Sequence, residues 1–387
     1  MNVNKYLFTK ISLSIMSNTI GQELSIFMEQ LKQKTELHAG YPYNLTCDYT
    51  LLLKFFNYLL NNAGDPFIEP DFGLHSRKFE QEVLAFFADL YKIPHQDFWG
   101  YLTSGGTEGN FYGIFLGREV YPQGILYSSQ DSHYSIAKAA KLFRMTHLIT
   151  GSQENGEMDY GHFEQLVCAN REVPAIINLN IGTTVKGAID NLDKALEILE
   201  RNNIENYYIH CDGALSGMML PFLKNAPQIN FTKAIDSVAI SAKFIGSPIP
   251  CGVVLTKKKF VDKVATLIEY IGSKDTTILG SRNGHSSLIL WYAIKTRGAS
   301  GFAAEAETCI QNAQYLYNQL KLRHYPCRLN EFSNTVVFAK PSRQSIEKWQ
   351  LAVLGDWAHI IVMQNITKQK LDGFLDELDF SLSLQVG

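Results

Sequence analysis

Strand-like segments alternate with helical segments through the middle of the chain, and this alternation limits the possible folds more than any other feature. Residues 99–103, 124–128, 175–180 and 207–212 are short apolar runs of strand length, and the stretches between them have the periodicity of amphipathic helices. Strands and helices that alternate in this way form a mostly parallel sheet with helices packed on it. The sequence therefore predicts an α/β fold.

Three segments are predicted along the chain. Residues 1–63 form an N-terminal helical arm, residues 64–322 a large domain, and residues 323–387 a small α/β domain. The polar stretch 323–326 marks the expected boundary between the two domains. Apolar spacing predicts helices over residues 22–38, 48–62, 76–91, 258–270, 285–296 and 302–322.

Composition excludes several classes of function. The chain has 387 residues, of which 46% are hydrophobic and 19% charged, and its net charge is −3 with both signs interspersed. The sequence has neither the basic patch of a nucleic-acid-binding protein nor the apolar run, about 18 residues long, of a membrane span. We therefore expect no nucleic-acid partner and no membrane partner. The six cysteines include no C-x-x-C pair, which disfavours a metal site and indicates a reducing, cytoplasmic location.

A glycine-rich stretch, T-S-G-G-T-E-G-N, follows the first of these strands. Gly105, Gly106 and Thr107 stand where the strand ends and a helix begins. Small residues let backbone N–H groups approach an anion, and a helix N-terminus favours negative charge. The G-K-[ST] ending of a nucleotide-binding loop is absent. The stretch indicates a site for a single phosphate group or, alternatively, only a tight turn between strand and helix.

Two polar residues stand at the ends of other strands. His133 lies in D-S-H-Y-S between a strand and a helix, where its imidazole could stack on a flat cofactor ring or, alternatively, only cap the helix. Asp212 ends the apolar strand 207–212. A carboxylate beside a pyridine nitrogen would keep that ring protonated and electron-withdrawing. The alternative role of Asp212 is to cap the next turn.

Lys243 follows the strand 237–241, in the sequence S-A-K-F-I-G-S-P. A lysine at the end of a buried strand suits a covalent imine link to an aldehyde cofactor, whereas the alternative is a surface lysine. A phosphate loop, a stacking histidine, a carboxylate and a lysine, in that order, together predict a site for pyridoxal 5'-phosphate (PLP). Its expected residues are Gly105, Gly106, Thr107, His133, Asp212, Ser241 and Lys243.

Six longer segments carry a resemblance to a known family: WGYLTSGGTEGN, GILYSSQDSHYSIAKAAKLFRM, INLNIGTTVKGAIDNLD, YYIHCDGALSGMMLPF, KFIGSPIPCGVVLTKK and GSRNGHSSLILWYAI. With them the chain resembles the group II PLP-dependent decarboxylases, in the branch that holds bacterial histidine decarboxylases and plant serine decarboxylases. The resemblance implies the fold-type I PLP-transferase fold and a homodimer with shared active sites. It also implies decarboxylation of an amino acid, either histidine to histamine or serine to ethanolamine.

The resemblance implies roles for three more residues. Ser281, in ILGSRNG, would reach the cofactor phosphate of the partner subunit, and Thr183 would hydrogen-bond the ring oxygen of the cofactor. Tyr270, or Lys243 itself, would protonate the α-carbon after CO₂ is lost. The expected catalytic residues are thus Lys243, His133, Asp212 and Tyr270.

One departure from the family pattern bears on activity. The family has Ser-Gly/Ala-His-Lys at the imine lysine, whereas Ser241-Ala242-Lys243 is one residue short and lacks the histidine. One alternative to an active decarboxylase is therefore a homologue without catalysis, and another is a different fold-type I enzyme, such as an aminotransferase or a lyase. Aminotransferases typically bind the substrate carboxylate with an arginine of the small domain, for which Arg328 and Arg343 are the candidates.

Overall fold

The computed structural model describes the backbone of residues 3–378 and the side chains of residues 19–378. The strands of its main sheet are β1 (Phe98–Thr103), β2 (Ile125–Ser129), β3 (His147–Thr150), β4 (Ala175–Asn180), β5 (Tyr207–Gly213), β6 (Ser237–Ser241) and β7 (Gly252–Lys257). They lie in the order β1-β7-β6-β5-β4-β2-β3, and β7 alone runs antiparallel to its neighbours. The predicted α/β fold with a mostly parallel sheet is confirmed.

Helices cover both faces of this sheet. The helices of the described residues are α1 (Val3–Glu36), α2 (Arg77–Leu90), α3 (Gly106–Val120), α4 (Tyr134–Leu142), α5 (Tyr160–Ala169), α6 (Leu192–Arg201), α7 (Lys258–Val261), α8 (Gly284–Leu322), α9 (Arg343–Trp349) and α10 (Lys368–Asp376). Of these, α9 and α10 pack in the small domain. Successive strand residues point to opposite faces, so Ile176 and Tyr208 pack in the cluster with α3 and α4, while Ile177 and Ile209 pack in the cluster with α2, α5 and α6. Burial on both faces explains why these strands are continuous apolar runs.

Helix α3 lies unusually close to strand β5. At Gly113 a Cβ atom would stand 2.1 Å from Nδ1 of His210, so only glycine allows this approach. The close contact brings one face of α3 against the strand that ends in Asp212. Side chains one turn earlier on α3 can therefore reach the carboxylate.

The small domain contains a second, antiparallel sheet. Its strands are β10 (Cys327–Leu329), β11 (Thr335–Ala339), β12 (Ala352–Leu354) and β13 (Trp357–Ile361), in the order β10-β11-β13-β12. Its buried cluster also includes Leu316 and Leu320, from the last turns of α8. The helix before the expected boundary at residue 323 thus packs into the small domain, and the boundary itself stays a prediction.

Two predicted helices differ from the structure. Residues 48–62 contain only a short 3₁₀ helix (Thr50–Asn57), and residues 258–270 contain only the short helix α7. After α7 the chain forms a hairpin of β8 (Thr266–Ile268) and β9 (Ser273–Asp275). Residues 285–296 and 302–322 are helical as predicted, and these two segments, together labelled α8, are separated by a break at Gly298 (φ 62°, ψ 179°).

The physical reasons lie in short-range and tertiary effects. Spacing cannot distinguish an eight-residue apolar helix from a 3₁₀ segment, because both place similar residues on one side. Gly272, in the left-handed region at φ 60°, follows a short 3₁₀ turn (Glu269–Ile271) and lets the chain reverse between β8 and β9. Among the described helices, none is long and apolar enough to cross a membrane.

Candidate active site

The carboxyl ends of β1, β5 and β6 meet at one edge of the main sheet, because these strands run in the same direction. The loop after β1, Asp212 at the end of β5, and Ser241 at the end of β6 line one cavity of about 1160 Å³. Open α/β sheets bind their ligands at this edge. The same cavity is lined by these residues predicted from the sequence: Gly105, Gly106, Thr107, His133, Asp212, Ser241 and Lys243.

The glycine loop exposes the N-terminus of α3 to this cavity. Gly105 has φ 146°, a value that other residues rarely adopt, and a Cβ on Gly106 would stand 2.7 Å from the Cβ of Ala214. The first N–H groups of a helix have no partner within the helix. Glu108 fixes the loop, since Ser104 donates its backbone N–H (2.7 Å) to the Glu108 carboxylate. The loop is therefore a preformed cradle that fits a phosphate.

The Asp212 carboxylate is buried and hydrogen-bonded on both oxygens. Asn110 Nδ2 donates to Oδ2 (2.8 Å), and the backbone N–H of Ala214 donates to Oδ1 (3.1 Å). Burial raises the pKa of Asp212, while the Ala214 N–H, the nearby charges of His133 and Lys243, and the Asn110 amide lower it. Each carboxylate oxygen can accept a further bond, so the group fits the protonated nitrogen of a pyridine ring.

A buried chain of polar side chains continues behind Asp212, and sequence reasoning missed it. Asn110 accepts a hydrogen bond from His210 Nε2 (3.1 Å), and His210 Nδ1 lies 2.8 Å from Ser237 Oγ. Burial lowers the pKa of His210 to about 3, so His210 is neutral. In this network Asn110 Nδ2 donates to Asp212, which makes Asp212 the acceptor of the bond, as an ionised carboxylate is.

A second branch leads from Asn110 to His133. Asn110 Nδ2 donates to Ser135 Oγ (2.9 Å), which leaves the Ser135 hydroxyl to donate to His133 Nδ1 (2.8 Å). Burial lowers the pKa of His133, Asp212 opposes this shift, and Lys243 adds to it. A half-buried neutral imidazole at the first turn of α4 fits the predicted role of a ring that stacks on the cofactor, and it also caps that helix.

Spacing along the chain could have indicated the two missed residues. Asn110 stands four residues after Gly106 on α3, and His210 stands two residues before Asp212 on β5, so each shares a face with a residue already singled out. A polar residue on an otherwise apolar buried strand was the available signal. The pairing of His210 with Asn110, a hundred residues away in sequence, could not be predicted from spacing.

Lys243 stands in the turn after β6 and faces the cavity. Its side chain is exposed and lines the cavity, and partial burial lowers its pKa, while Asp212 opposes this shift. A lowered pKa increases the fraction of neutral amine, which is the nucleophilic form. The amine, the carboxylate and the phosphate cradle thus fit the aldehyde, the ring nitrogen and the phosphate of PLP.

Register in the sheet shows how the short sequence at Lys243 is accommodated. Strand β6 pairs with β7 without a bulge from Ser237 opposite Thr256 to Ser241 opposite Gly252, and the Ala242 N–H bonds to the Cys251 carbonyl (3.0 Å). Strand β6 is therefore continuously paired up to the turn that carries Lys243.

Three predicted site residues do not line the cavity of this chain. Thr183 is buried and its hydroxyl accepts a hydrogen bond from the Ala188 N–H (3.0 Å), while its neighbours Gly182 and Thr184 line the cavity. Ser281 is exposed, and Tyr270 is 88% exposed in the 3₁₀ turn between β8 and β9. The roles of these three residues stay predictions.

The arginines considered for an aminotransferase also lie elsewhere. Arg328 pairs with Glu154 (2.7 Å) and packs over the Trp357 ring, and Arg343 pairs with Glu347 (2.7 Å). Neither lines the cavity. Nothing in their position fits a role in binding the substrate carboxylate.

Fold and site together define a PLP-dependent enzyme of fold type I. Residues 75–338 match the family described as the pyridoxal-dependent decarboxylase conserved domain, and the chain belongs to this family. The prediction of a PLP-dependent amino-acid decarboxylase, a carboxy-lyase, is thereby confirmed.

Relatives support membership of this decarboxylase family over almost the whole chain. Serine decarboxylase 1 of Oryza sativa subsp. japonica is 47% identical over 92% of this chain and 74% of its own length. Histidine decarboxylase of Solanum lycopersicum is 44% identical, with 94% and 90% covered, and that of Morganella morganii is 41% identical, with 93% and 97% covered. An L-methionine decarboxylase structure from Streptomyces sp. 590 superposes with a TM-score of 0.85 at 26% identity, covering 92% of this chain and 94% of that chain.

Proposed function

We propose that this enzyme decarboxylates an amino acid with a polar side chain, with serine to ethanolamine as the first candidate and histidine to histamine as the second. The observation that carries the proposal is Tyr49, which lines the cavity with its hydroxyl buried. That hydroxyl has no hydrogen bond of ordinary geometry with any described residue, although the Cys47 thiol is near enough to add to the raising of the Tyr49 pKa by burial. A buried hydroxyl without a partner favours a substrate whose side chain is polar.

Each residue of the site would have a separate role toward the cofactor. Bound PLP would supply an electron sink for the electrons left when CO₂ departs. The N–H groups at Gly105, Gly106 and Thr107 would hold its phosphate, and Lys243 Nζ would bind its aldehyde carbon covalently. Asp212 would keep the proton on the ring nitrogen, and the His133 ring would lie against the ring face. The cavity walls would exclude water from the reacting carbon.

A proton must finally reach the α-carbon. Lys243 stands inside the cavity, whereas the Tyr270 hydroxyl stands on an exposed hairpin of the same chain. Tyr270 can serve only if the hairpin reaches a different cavity, which requires a second subunit. The choice between the two donors therefore depends on how the chain assembles.

Serine turnover is the first prediction. Purified enzyme with PLP should release CO₂ from serine, and Tyr49→Phe should lower kcat/KM for serine about tenfold while changing that for alanine little, because alanine has no hydroxyl to bond. Tyr292→Phe is the matched control, since its ring packs 6.0 Å from that of Tyr49 outside the cavity lining. If histidine is turned over and serine is not, the second candidate holds. If the enzyme releases CO₂ from neither serine nor histidine, the result would support a homologue without catalysis.

We also propose a homodimer with shared active sites. Helix α1 exposes a face that includes Leu24 (63%), Phe27 (56%) and Leu31 (44%), and the 3₁₀ segment with the residues after it exposes Phe56 (50%) and Leu59 (76%). Monomeric proteins rarely expose so many neighbouring apolar side chains. A second copy that covers them would also bring Tyr270 and Ser281 to the partner's cavity. The six free cysteines support a reducing, cytoplasmic location.

Mixing two inactive variants tests the shared site. With Lys243→Ala in one subunit and Tyr270→Phe in the other, one site of each heterodimer contains both intact residues if Tyr270 serves the partner. Random reassembly at equal ratio should then restore about a quarter of wild-type activity, since half of the dimers are mixed and each has one intact site. Activity that stays at the level of the separate variants would mean that Tyr270 acts in its own subunit or not at all.

Arg282 is next to Ser281 in the segment expected to reach the partner's cavity, but a change at Arg282 is unsuitable for the mixing experiment. Its guanidinium is buried and pairs with the buried carboxylate of Glu80, and it donates to the Gly64 carbonyl (3.1 Å). Removing one member of a buried ion pair leaves the other charge uncompensated, which costs about 3–5 kcal/mol. Ser281→Ala, which removes an exposed hydroxyl and the hydrogen bond that it accepts from Asn61 Nδ2 (3.2 Å), can replace Tyr270→Phe in the mixing experiment.

A further inference from the structure

The turn that carries Lys243, residues 242–247, is bound at consecutive backbone carbonyl groups. Asn44 donates its backbone N–H to the Lys243 carbonyl (3.3 Å) and its side-chain Nδ2 to the Phe244 carbonyl (3.1 Å). Gln364, from the small domain, donates Nε2 to the same Phe244 carbonyl (3.0 Å). Two distant parts of the chain thus contact the turn directly after the reactive lysine.

The next carbonyl of the turn is bound from a third direction. Arg297 donates to the Ile245 carbonyl (2.5 Å) and pairs with Glu305 (3.1 Å). Glu305 in turn accepts from Gln364 Nε2 (2.8 Å). The interruption of α8 at Gly298 brings Arg297 and Glu305 together across the break. Arg297, Glu305 and Gln364 therefore form one connected group, which we call the turn clamp.

The orientation of the Gln364 amide is determined by this clamp. Its Oε1 is buried without a hydrogen-bond partner among the described residues, while its Nε2 serves both the Phe244 carbonyl and the Glu305 carboxylate. Reversing the amide would place Oε1 against two other oxygens. An unpaired buried oxygen is unfavourable, so the side chain keeps this orientation because of the two bonds on its nitrogen.

We propose that Gln364, Arg297 and Glu305 are positioning residues that hold Lys243 Nζ in reach of the cofactor aldehyde. A displacement of about 1 Å in a reacting group can lower a rate by up to two orders of magnitude. Strand β6 fixes the chain up to Ser241 through its pairing with β7, and beyond Ser241 the contacts to three successive backbone carbonyls hold the turn. The small domain, through Gln364, thereby contributes to where the lysine stands. This inference rests on the proposed attachment of PLP at Lys243.

The test separates positioning of the lysine from general stability. Gln364→Met keeps the length of the side chain but removes both hydrogen bonds. The matched control is Asn312→Leu, because Asn312 also links α8 to the small domain, by donating to the Ile366 carbonyl (3.1 Å), without contact to the turn. Arg297→Lys is a second variant, which keeps the positive charge near Glu305 but cannot donate in the same fork geometry.

The experiment uses the full chain after its cofactor has been removed, and compares the binding of two ligands. With PLP, Gln364→Met and Arg297→Lys should slow covalent attachment at Lys243 about tenfold, followed by absorbance and by borohydride labelling. Pyridoxine 5'-phosphate has no aldehyde, so its affinity should stay within about twofold of wild type in every variant. Asn312→Leu should lower Tm as much as Gln364→Met yet attach PLP at the wild-type rate.

Each contrary outcome has a distinct meaning. Normal attachment in both Gln364→Met and Arg297→Lys would overturn the inference, and so would an equal slowing in Asn312→Leu, since that would indicate general loosening. Weaker binding of pyridoxine 5'-phosphate in the clamp variants would also overturn it, because the cradle rather than the lysine would have moved. Labelling of a residue other than Lys243 in the wild-type chain would instead refute the proposed attachment.

Discussion

Replacing Lys243 with alanine is expected to abolish both turnover and the covalent attachment of PLP. Among the residues that line the cavity, Lys243 is the one lysine within the described part of the chain, so no second amine can take its place. The variant should retain the phosphate cradle and bind PLP without a covalent bond. Absorbance spectra before and after borohydride, followed by peptide mapping, measure this directly.

Lys257→Ala is the control for the loss of a lysine near the same strands. Lys257 pairs with Asp236 (2.8 Å) and stands at the opposite end of β7 from the turn of Lys243. Its variant should still attach PLP at the wild-type position. Borohydride label on Lys257, Lys258 or Lys259 in the wild-type chain would show that the assignment of Lys243 is mistaken.

Local sequence pattern was sufficient to predict the strand-end residues. An apolar run of strand length followed by a glycine or a charge identifies the carboxyl end of a buried strand, and parallel strands bring such ends together. Gly105, Asp212 and Lys243 were found in this way, and the structure places all three on one cavity. Only the direction of the strands was needed, and the alternation of strands and helices already implied it.

Contacts between distant segments could not be read in this way. Asn110 is opposite Asp212 only because Gly113 lets α3 approach β5, and Gln364 meets the turn of Lys243 only because the small domain packs against the interrupted helix α8. Both depend on how whole elements pack, which periodicity within one segment does not encode. The hairpin 266–275 was missed for a local reason, because its strands are three residues long and too short to show a period.

Asp212→Asn is expected to lower kcat by about three orders of magnitude or more while the fold and the covalent link at Lys243 persist. Asparagine has nearly the same shape, but its single side-chain oxygen can accept only one of the two bonds that Asn110 and the Ala214 N–H donate to the two carboxylate oxygens. It has no negative charge, however, so it cannot keep a proton on the ring nitrogen. Kinetics with serine, spectra of the bound cofactor and thermal unfolding together measure the effect.

The size of the effect distinguishes the two possible roles of Asp212. If the carboxylate only anchors the cofactor, its loss removes one charge-assisted hydrogen bond of about 1.5–3 kcal/mol, and affinity for PLP falls roughly 10- to 100-fold with a similar or smaller change in kcat. If it maintains the electron sink, the loss in kcat exceeds the loss in affinity, because about 4 kcal/mol or more is then missing from the transition state alone. Asp236→Asn, which alters another buried carboxylate of the same sheet next to Lys257, controls for destabilisation and should leave kcat nearly unchanged. Near-normal turnover in Asp212→Asn would exclude the electron-sink role.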